Sequence, residues 1–261
     1  MKLKDKIALV TGSSRGVGRS VALGFAKQGA NVVVNYTSNE NAANEVVETI
    51  QSMGGKAIAV KADVAQKAEV ENLVNSAIDT FGRLDILVNN AGVIIGPAPI
   101  RYMAEEAWRR MMEINASGVF LCCHHALPLM IEGDHGGRII NMSSIAALRP
   151  RIFMSAYAAS KAAVVAMTGS LALEVGEFGI TANAILPGDI DTGMKQWGMQ
   201  LESMVTGQNY EDVVGNLESR IPAGRLGEPD DVADLVAFLA SDEAQFITGQ
   251  AINLTGGREL T

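Results

Sequence analysis

The sequence predicts an α/β chain: a doubly wound parallel sheet of about seven strands with helices on both faces. Three observations carry this. Short apolar runs alternate with longer stretches of helical spacing along all 261 residues. Hydrophobic residues make up 48% of the chain but aromatics only 5%, so the core must come from Val, Ile, Leu, Ala and Met, as suits strands buried on both faces. The 27 glycines are many for a helical bundle and ordinary for a fold with numerous tight strand–helix turns.

The elements follow in order. "KIALVT" (6–11) reads as the first strand, and "RGVGRSVALGFAKQG" continues at helical spacing. "NVVVNY" (31–36) is the second, followed by a helix over "NENAANEVVETIQSMGG" that stops at glycine. "KAIAVKAD" (56–63) is the third, with a helix over 67–81. "LDILVNNAG" (84–92) is the fourth, with one long helical stretch over 104–130. "GRIINMSS" (137–144) is the fifth, before the helix that carries "YAASK". "ITANAILPG" (180–188) is the sixth and "QAINLTGG" (250–257) the seventh. No repeat, low-complexity tract or linker divides the chain, so 1–261 reads as one domain. The exception to the rhythm is 193–229, long and rich in Met and Gly between two strands, which reads as a substrate lid. Trp197, Leu201, Met204 and Val205 recur there at helical spacing, Gly207 follows as a hinge, and 210–219 reads as a second helix.

Charge and cysteine usage exclude several classes. A net charge of −8 with no run of Lys and Arg argues against nucleic acid or an anionic membrane as partner. Cys122 and Cys123 are neighbours and make poor material for a disulfide framework, which fits a reducing compartment. The N-terminal "MKLKDKIALVTGSS" holds too short an apolar run for a signal-peptide core or a bilayer span, so a soluble, cytoplasmic protein is expected. His124 and His125 point about 100° apart on their helix and cannot share a metal, so no metal is expected.

Two motifs carry chemistry. "TGSSRGVG" (11–18) follows a strand and opens a helix, and Gly12, Gly16 and Gly18 let the backbone approach a pyrophosphate at the helix N-terminus. Its spacing is G-x3-G-x-G, and no Gly-Lys-Ser/Thr follows, which disfavours a phosphate-hydrolysing loop. "YAASK" (157–161) puts Tyr157 and Lys161 on one helical face. They could pack together, or the cation could favour the phenolate and make a general acid–base; the pentapeptide alone leaves both open.

"TGSSRGVG", "NNAG" (89–92), Ser144 thirteen residues before Tyr157, and "YAASK" occur in that order. Together they resemble the short-chain dehydrogenase/reductase superfamily, and the match runs on through "LPGDIDT" (186–192) to "TGQAINLTGG" (248–257). The resemblance implies a Rossmann fold and a tetrad of Asn115, Ser144, Tyr157 and Lys161. In it Tyr157 is the acid–base, Lys161 depresses its pKa and bonds the nicotinamide ribose, Ser144 holds the substrate oxygen, and Asn115 anchors a relay water. Ser143 is an equal candidate by chemistry alone; only the family's spacing favours Ser144.

The implied cofactor contacts begin with Gly12, Ser14, Arg15, Gly16, Val17 and Gly18. They continue with Asn35, Tyr36 and Thr37 after the second strand, then Asp63 and Val64, with Asp63 by the adenine. Asn89, Ala91 and Gly92 follow, Asn89 near the adenosine ribose, and then Tyr157, Lys161, Pro187, Gly188, Ile190 and Thr192. Tyr36 stands where NAD-preferring relatives carry Asp, Arg15 offers a positive charge for a 2′-phosphate, and Asn35, Thr37 and Ser38 offer uncharged donors. NADP(H) is therefore expected, with NAD(H) as the alternative.

By the same resemblance Val93, Ile94, Ile145, Phe153, Met194 and Trp197 line an apolar pocket. Asp189, where many relatives are hydrophobic, either grips a hydroxylated substrate or points to solvent. Arg149 and Arg151 either attract an anionic group or form a solvated loop face. The implied activity is hydride transfer between nicotinamide and a small ketone, sugar or polyol. The alternative is a 3-oxoacyl carrier-protein reductase, to which "PAGRLGEPDDVA" is similar. A non-catalytic NADP-sensing regulator would be expected if the tetrad were broken, and it is intact. A homotetramer with twofold axes is also implied, with "FITGQAINLTGG" as interface material.

Overall fold

The structure, a computed structural model, describes residues 1–260, Glu259 in its backbone only. Its seven strands are β1 (Ile7–Val10), β2 (Asn31–Tyr36), β3 (Ala57–Lys61), β4 (Ile86–Asn89), β5 (Gly137–Met142), β6 (Ile180–Pro187) and β7 (Ala251–Leu254). All pairings are parallel, in the order β3-β2-β1-β4-β5-β6-β7. The order reverses between β1 and β4, and open α/β sheets bind ligands beyond the strand C-termini at such a point.

Nine α-helices flank the sheet and its edge among the described residues. They are α1 (Gly16–Lys27), α2 (Glu40–Ser52), α3 (Lys67–Phe81), α4 (Glu105–Met112), α5 (Gly118–Glu132), α6 (Ser155–Val175), α7 (Gly193–Thr206), α8 (Tyr210–Glu218) and α9 (Pro229–Ala240). Side chains alternate across each strand, so β1 feeds two cores. Ala8 and Val10 pack with Val21 and Phe25 of α1 and Val236 of α9. Ile7 and Leu9 face the opposite layer, with Leu73 of α3, Val119 of α5 and Val164 of α6. That double burial is why the strands read as unbroken apolar runs rather than alternating ones.

The expected single helix over 104–130 is continuous in space but not uniform. Between α4 and α5 the turn Glu113–Ser117 is a π-helix with the buried Asn115 at its centre. A π turn inside an α-helix displaces one residue from the regular spacing and frequently marks a functional position. The stretches Glu105–Glu132 and Ser155–Phe178 are apolar and long enough to cross a bilayer by length and composition, yet α5 and α6 supply much of the second core.

Candidate active site

The loop after β1 is held by side chains from two neighbouring strands. Asn35 Oδ1 accepts from the Gly12 N–H at 2.9 Å, and Asn35 Nδ2 donates to the Ala62 and Val60 carbonyls at 3.0 and 3.3 Å. Ser13 Oγ donates to Val10 O at 2.7 Å and accepts from the Asn35 N–H at 3.0 Å. From just past β4, Asn90 Nδ2 donates to Thr11 O and Gly12 O at 2.8 and 3.1 Å, and Thr11 Oγ1 accepts from the Asn90 and Ala91 N–H groups. Gly12 and Gly16 have φ of +61° and +56°, which side chains rarely adopt, and a Cβ on Gly18 would lie 2.5 Å from Gly12 O. Arg15 caps α1 without a side-chain bond to its first N–H groups. Those donors, at the positive end of a 12-residue helix over a glycine-lined cradle, fit the pyrophosphate of a dinucleotide. Gly16 is close to Thr192, whose Cγ2 would be 3.9 Å from an added Cβ.

Several of the expected contacts have partners within the protein. The Asn35 amide is buried and spent on carbonyls on β3 and just past it, because those groups need partners at a sheet position without water. Asn89 points into the second core, donating to Asn141 Oδ1 at 2.8 Å and Cys123 Sγ at 3.3 Å, so its side chain is turned away from the cradle. The next residue on the alternating strand, Asn90, faces the loop. Ile190 and Val64 are buried. Tyr36 lies in the first core, and burial, followed by the adjacent Glu40 carboxylate, pushes its phenol up. Asp63 is held by Arg110 at 2.6 Å; burial works against ionisation, but Arg110 and the Ala65 N–H prevail and hold the carboxyl below its ordinary value. Ser14, Val17, Ala91, Pro187 and Gly188 border the same cleft edge at partial exposure, while Arg15 and Thr37 are exposed.

The two serines after β5 separate by direction. Ser143 Oγ is buried and donates to Lys161 O at 2.8 Å, locking α6 to the sheet. Ser144 caps the short turn 145–147 and is close enough to Tyr157 to hydrogen-bond the phenol. Lys161 is 4% exposed, donates from Nζ to Met142 O at 2.7 Å, and lies 5.9 Å from the Tyr157 ring centroid. A Cβ on Gly92 would lie 3.3 Å from Lys161 Nζ and 3.4 Å from Asn115 Oδ1, so these three residues meet at one point. Asn115, Ser144, Tyr157 and Lys161 therefore converge beside the glycine loop.

Two details differ from expectation. Burial raises the Tyr157 pKa, with Ser144 pulling the other way, and burial alone lowers Lys161 to about 8. In this geometry desolvation outweighs any downward pull of the cation on the phenol. Both donors of the Asn115 carboxamide are committed: Oδ1 accepts from Val93 N–H at 2.8 Å, and Nδ2 donates to Val93 O at 2.9 Å and Ser160 Oγ at 3.1 Å. It clamps the loop after β4, with one lone pair of Oδ1 left over. Ser160 in turn donates to Tyr157 O at 2.7 Å, a support that only the folded contacts reveal.

Asp189 neither points to solvent nor is free to grip a substrate. It is 6% exposed and binds Arg151 Nη2 at 3.0 Å and Lys195 Nζ at 2.7 Å. Burial opposes ionisation, but Lys195 and Arg151 outweigh it and hold the carboxyl below its ordinary value. Arg149 is exposed on the same loop. Phe153 adopts φ +67°, a conformation costing on the order of 1–3 kcal/mol, while its carbonyl accepts from the Ala98 N–H at 3.2 Å. The segment after β6 forms α7 and α8 as read, with Gly207 left-handed at φ +72° between them. Met199 of α7 and Val213 of α8 share a small core with Ile221 and Leu226 from the segment that follows, and Met194, Trp197 and Leu201 are left partly exposed.

Among the described residues no three His, Cys, Asp or Glu side chains gather as metal ligands. His124 and His125 meet edge to face at 5.1 Å, and burial pushes both cysteine thiols up, Cys123 to about 12.

A family model described as Enoyl-(Acyl carrier protein) reductase matches residues 12–259. The chain is 41% identical over 263 residues to a short-chain type dehydrogenase/reductase of Picea abies, covering 98% of this chain and 93% of that protein. It is 40% identical over 253 residues to a 3-oxoacyl-[acyl-carrier-protein] reductase of Staphylococcus epidermidis, with coverages of 97% and 98%. The crystal structure of a levodione reductase matches with a TM-score of 0.93 and 30% identity, over 99% of both chains.

Proposed function

The chain belongs to the short-chain dehydrogenase/reductase family, as an NAD(P)-dependent oxidoreductase of carbonyl or hydroxyl carbons, and we propose that its substrates are small ketones, sugars or polyols. The observation that carries the reading is the convergence of Ser144, Tyr157 and Lys161 on the edge of the glycine cradle. A bound nicotinamide supplies or accepts the hydride at the substrate carbon. Ser144 holds the substrate oxygen, and Tyr157 delivers a proton to it as negative charge builds there. Lys161 keeps two ammonium protons beyond its bond to Met142 O, and these would bond the nicotinamide ribose of a bound cofactor. Asn115 acts as a positioning residue through Val93.

Helices α7 and α8 are proposed as the lid, within 193–229. A lid with its own core excludes water from a small substrate and obstructs a long acyl arm carried by a second protein. A chain at −8 also offers little attraction to an acidic carrier. Comparing kcat/KM for small ketones and ketoses with that for acetoacetyl thioester on carrier protein tests this. Faster use of the carrier-bound substrate would overturn it in favour of a 3-oxoacyl carrier-protein reductase.

NADP(H) is the proposed cofactor, and Arg15 carries that preference. Tyr36 is buried beside Glu40 and Asn35 is occupied, so the exposed Arg15, with Thr37 and Ser38, remains to meet a 2′-phosphate. Arg15→Ala is expected to lower the NADPH-to-NADH ratio of kcat/KM about tenfold, the loss of one charge-assisted contact. A wild-type preference for NADH would refute the assignment.

A cytoplasmic homotetramer is proposed as well. Phe246, fully exposed before β7, and Leu173, 89% exposed on α6, are apolar surface that assembly would cover. Light scattering that gives a monomer mass would refute it.

A further inference from the structure

The charges gathered at Asp189 do not balance. Arg151 and Lys195, with Arg258 Nε further off at 3.8 Å, place three positive charges on one carboxylate, in a chain whose net charge is −8. Arg151 binds Asp189 only through Nη2, at 3.0 and 3.2 Å, and its side chain remains 46% exposed. Its fork of five N–H donors is therefore only partly used. Lys195 commits Nζ to Asp189 at 2.7 Å and keeps 20% exposure. The buried Asp189 side chain thus holds Arg151 and Lys195, beside Arg258, without exhausting the donors of either.

Their place relative to the acid–base follows from the sheet register. Met142 of β5 pairs with Ile185 of β6, and the Ser143 N–H donates to Ile185 O at 2.8 Å. Ser144 therefore follows β5 at about the level of Pro187, and Asp189 lies two residues beyond the C-terminal end of the neighbouring β6. Arg151 belongs to the loop that enters α6 six residues before Tyr157, and Lys195 to the first turn of α7.

We propose that Arg151 and Lys195, oriented by Asp189, form an anion subsite, and that the substrate carries a carboxylate or phosphate a few bonds from its reacting carbon. This rests on reading Ser144 and Tyr157 as the reacting end of the cleft. The cofactor's own phosphates offer the same chemistry, since α7 begins beside Gly16, so the test must separate the two sources.

The test measures kcat/KM for matched pairs: acetoacetate, levulinate and 5-oxohexanoate against their methyl esters, and dihydroxyacetone phosphate against dihydroxyacetone. The charged member is expected to lead by about tenfold or more in at least one pair, as a charge-assisted bond would give. Arg151→Gln is expected to collapse that lead, and Arg151→Lys to restore part of it. NADPH affinity, read by fluorescence titration, should move by less than about twofold. Turnover of the neutral members with no charged preference sinks the subsite and leaves the oxidoreductase reading standing. Weaker NADPH binding in Arg151→Gln with the charged preference intact assigns the cations to the cofactor and overturns the proposal. No turnover of either class sinks both readings.

Discussion

Tyr157→Phe is expected to lower kcat by at least about 10²-fold while leaving NADPH affinity within a small factor of wild type. General acid–base groups contribute roughly 10²–10⁴-fold, and phenylalanine removes the proton donor while keeping the ring that packs 5.9 Å from Lys161 Nζ. Burial raises the phenol's pKa, so the proton needed to reduce a carbonyl stays on Tyr157 through neutral pH. Reduction is expected to hold across that range and to fall in alkali as the phenol ionises. Alcohol oxidation needs the phenolate and should rise over the same alkaline range. Lys161, lowered to about 8, loses its charge there as well, which removes support from the phenolate and blunts the rise. Steady-state rates in both directions across pH, with NADPH titration of the variant, check the assignment. A variant that keeps more than a tenth of wild-type kcat would show that the proton comes from elsewhere.

The strands were legible because burial on both faces makes them continuous apolar runs, and "YAASK" because one helical turn fixes its geometry. What stayed hidden depends on partners far along the chain. Asn35 reads as a free donor, yet its amide serves carbonyls on β3 and just past it, 25 and 27 residues away. Asn89 and Asn90 look equivalent in sequence, but adjacent strand residues face opposite ways, so one enters the core and the other clamps the glycine loop. The same alternation separates Ser143 from Ser144. The π turn at Asn115 shifts the helical spacing by one residue inside a pattern that still reads as helix. Asp189 draws Arg151 and Lys195 from the loop before α6 and from α7, segments that meet only on folding. Reading lone polar residues as solvent-facing fails where they satisfy buried groups.

Two glycines on α1 are expected to respond to alanine with opposite sign. A Cβ at Gly18 would lie 2.5 Å from Gly12 O, 2.5 Å from Asn90 Nδ2 and 2.9 Å from Ser13 Cα. Two of those atoms are backbone and cannot swing aside, so the start of α1 must move away from the loop. That movement pulls Asn90 from Thr11 O and Gly12 O, leaving polar groups at a crowded site without partners. Overpacking costs about 1–3 kcal/mol and a lost buried hydrogen bond a similar amount, so Gly18→Ala is expected to destabilise the fold by about 2–4 kcal/mol. The cradle moves with it, and NADPH affinity should fall by more than about tenfold. At Gly24, six residues on, an added Cβ meets only Ala233 Cβ at 3.7 Å, an ordinary contact. There alanine restricts the unfolded chain without strain and should stabilise by about 0.5–1 kcal/mol. Urea midpoints and NADPH titrations of both variants read the contrast directly. If Gly18→Ala matches wild type in both, the close packing of α1 on the loop is not what fixes the cradle.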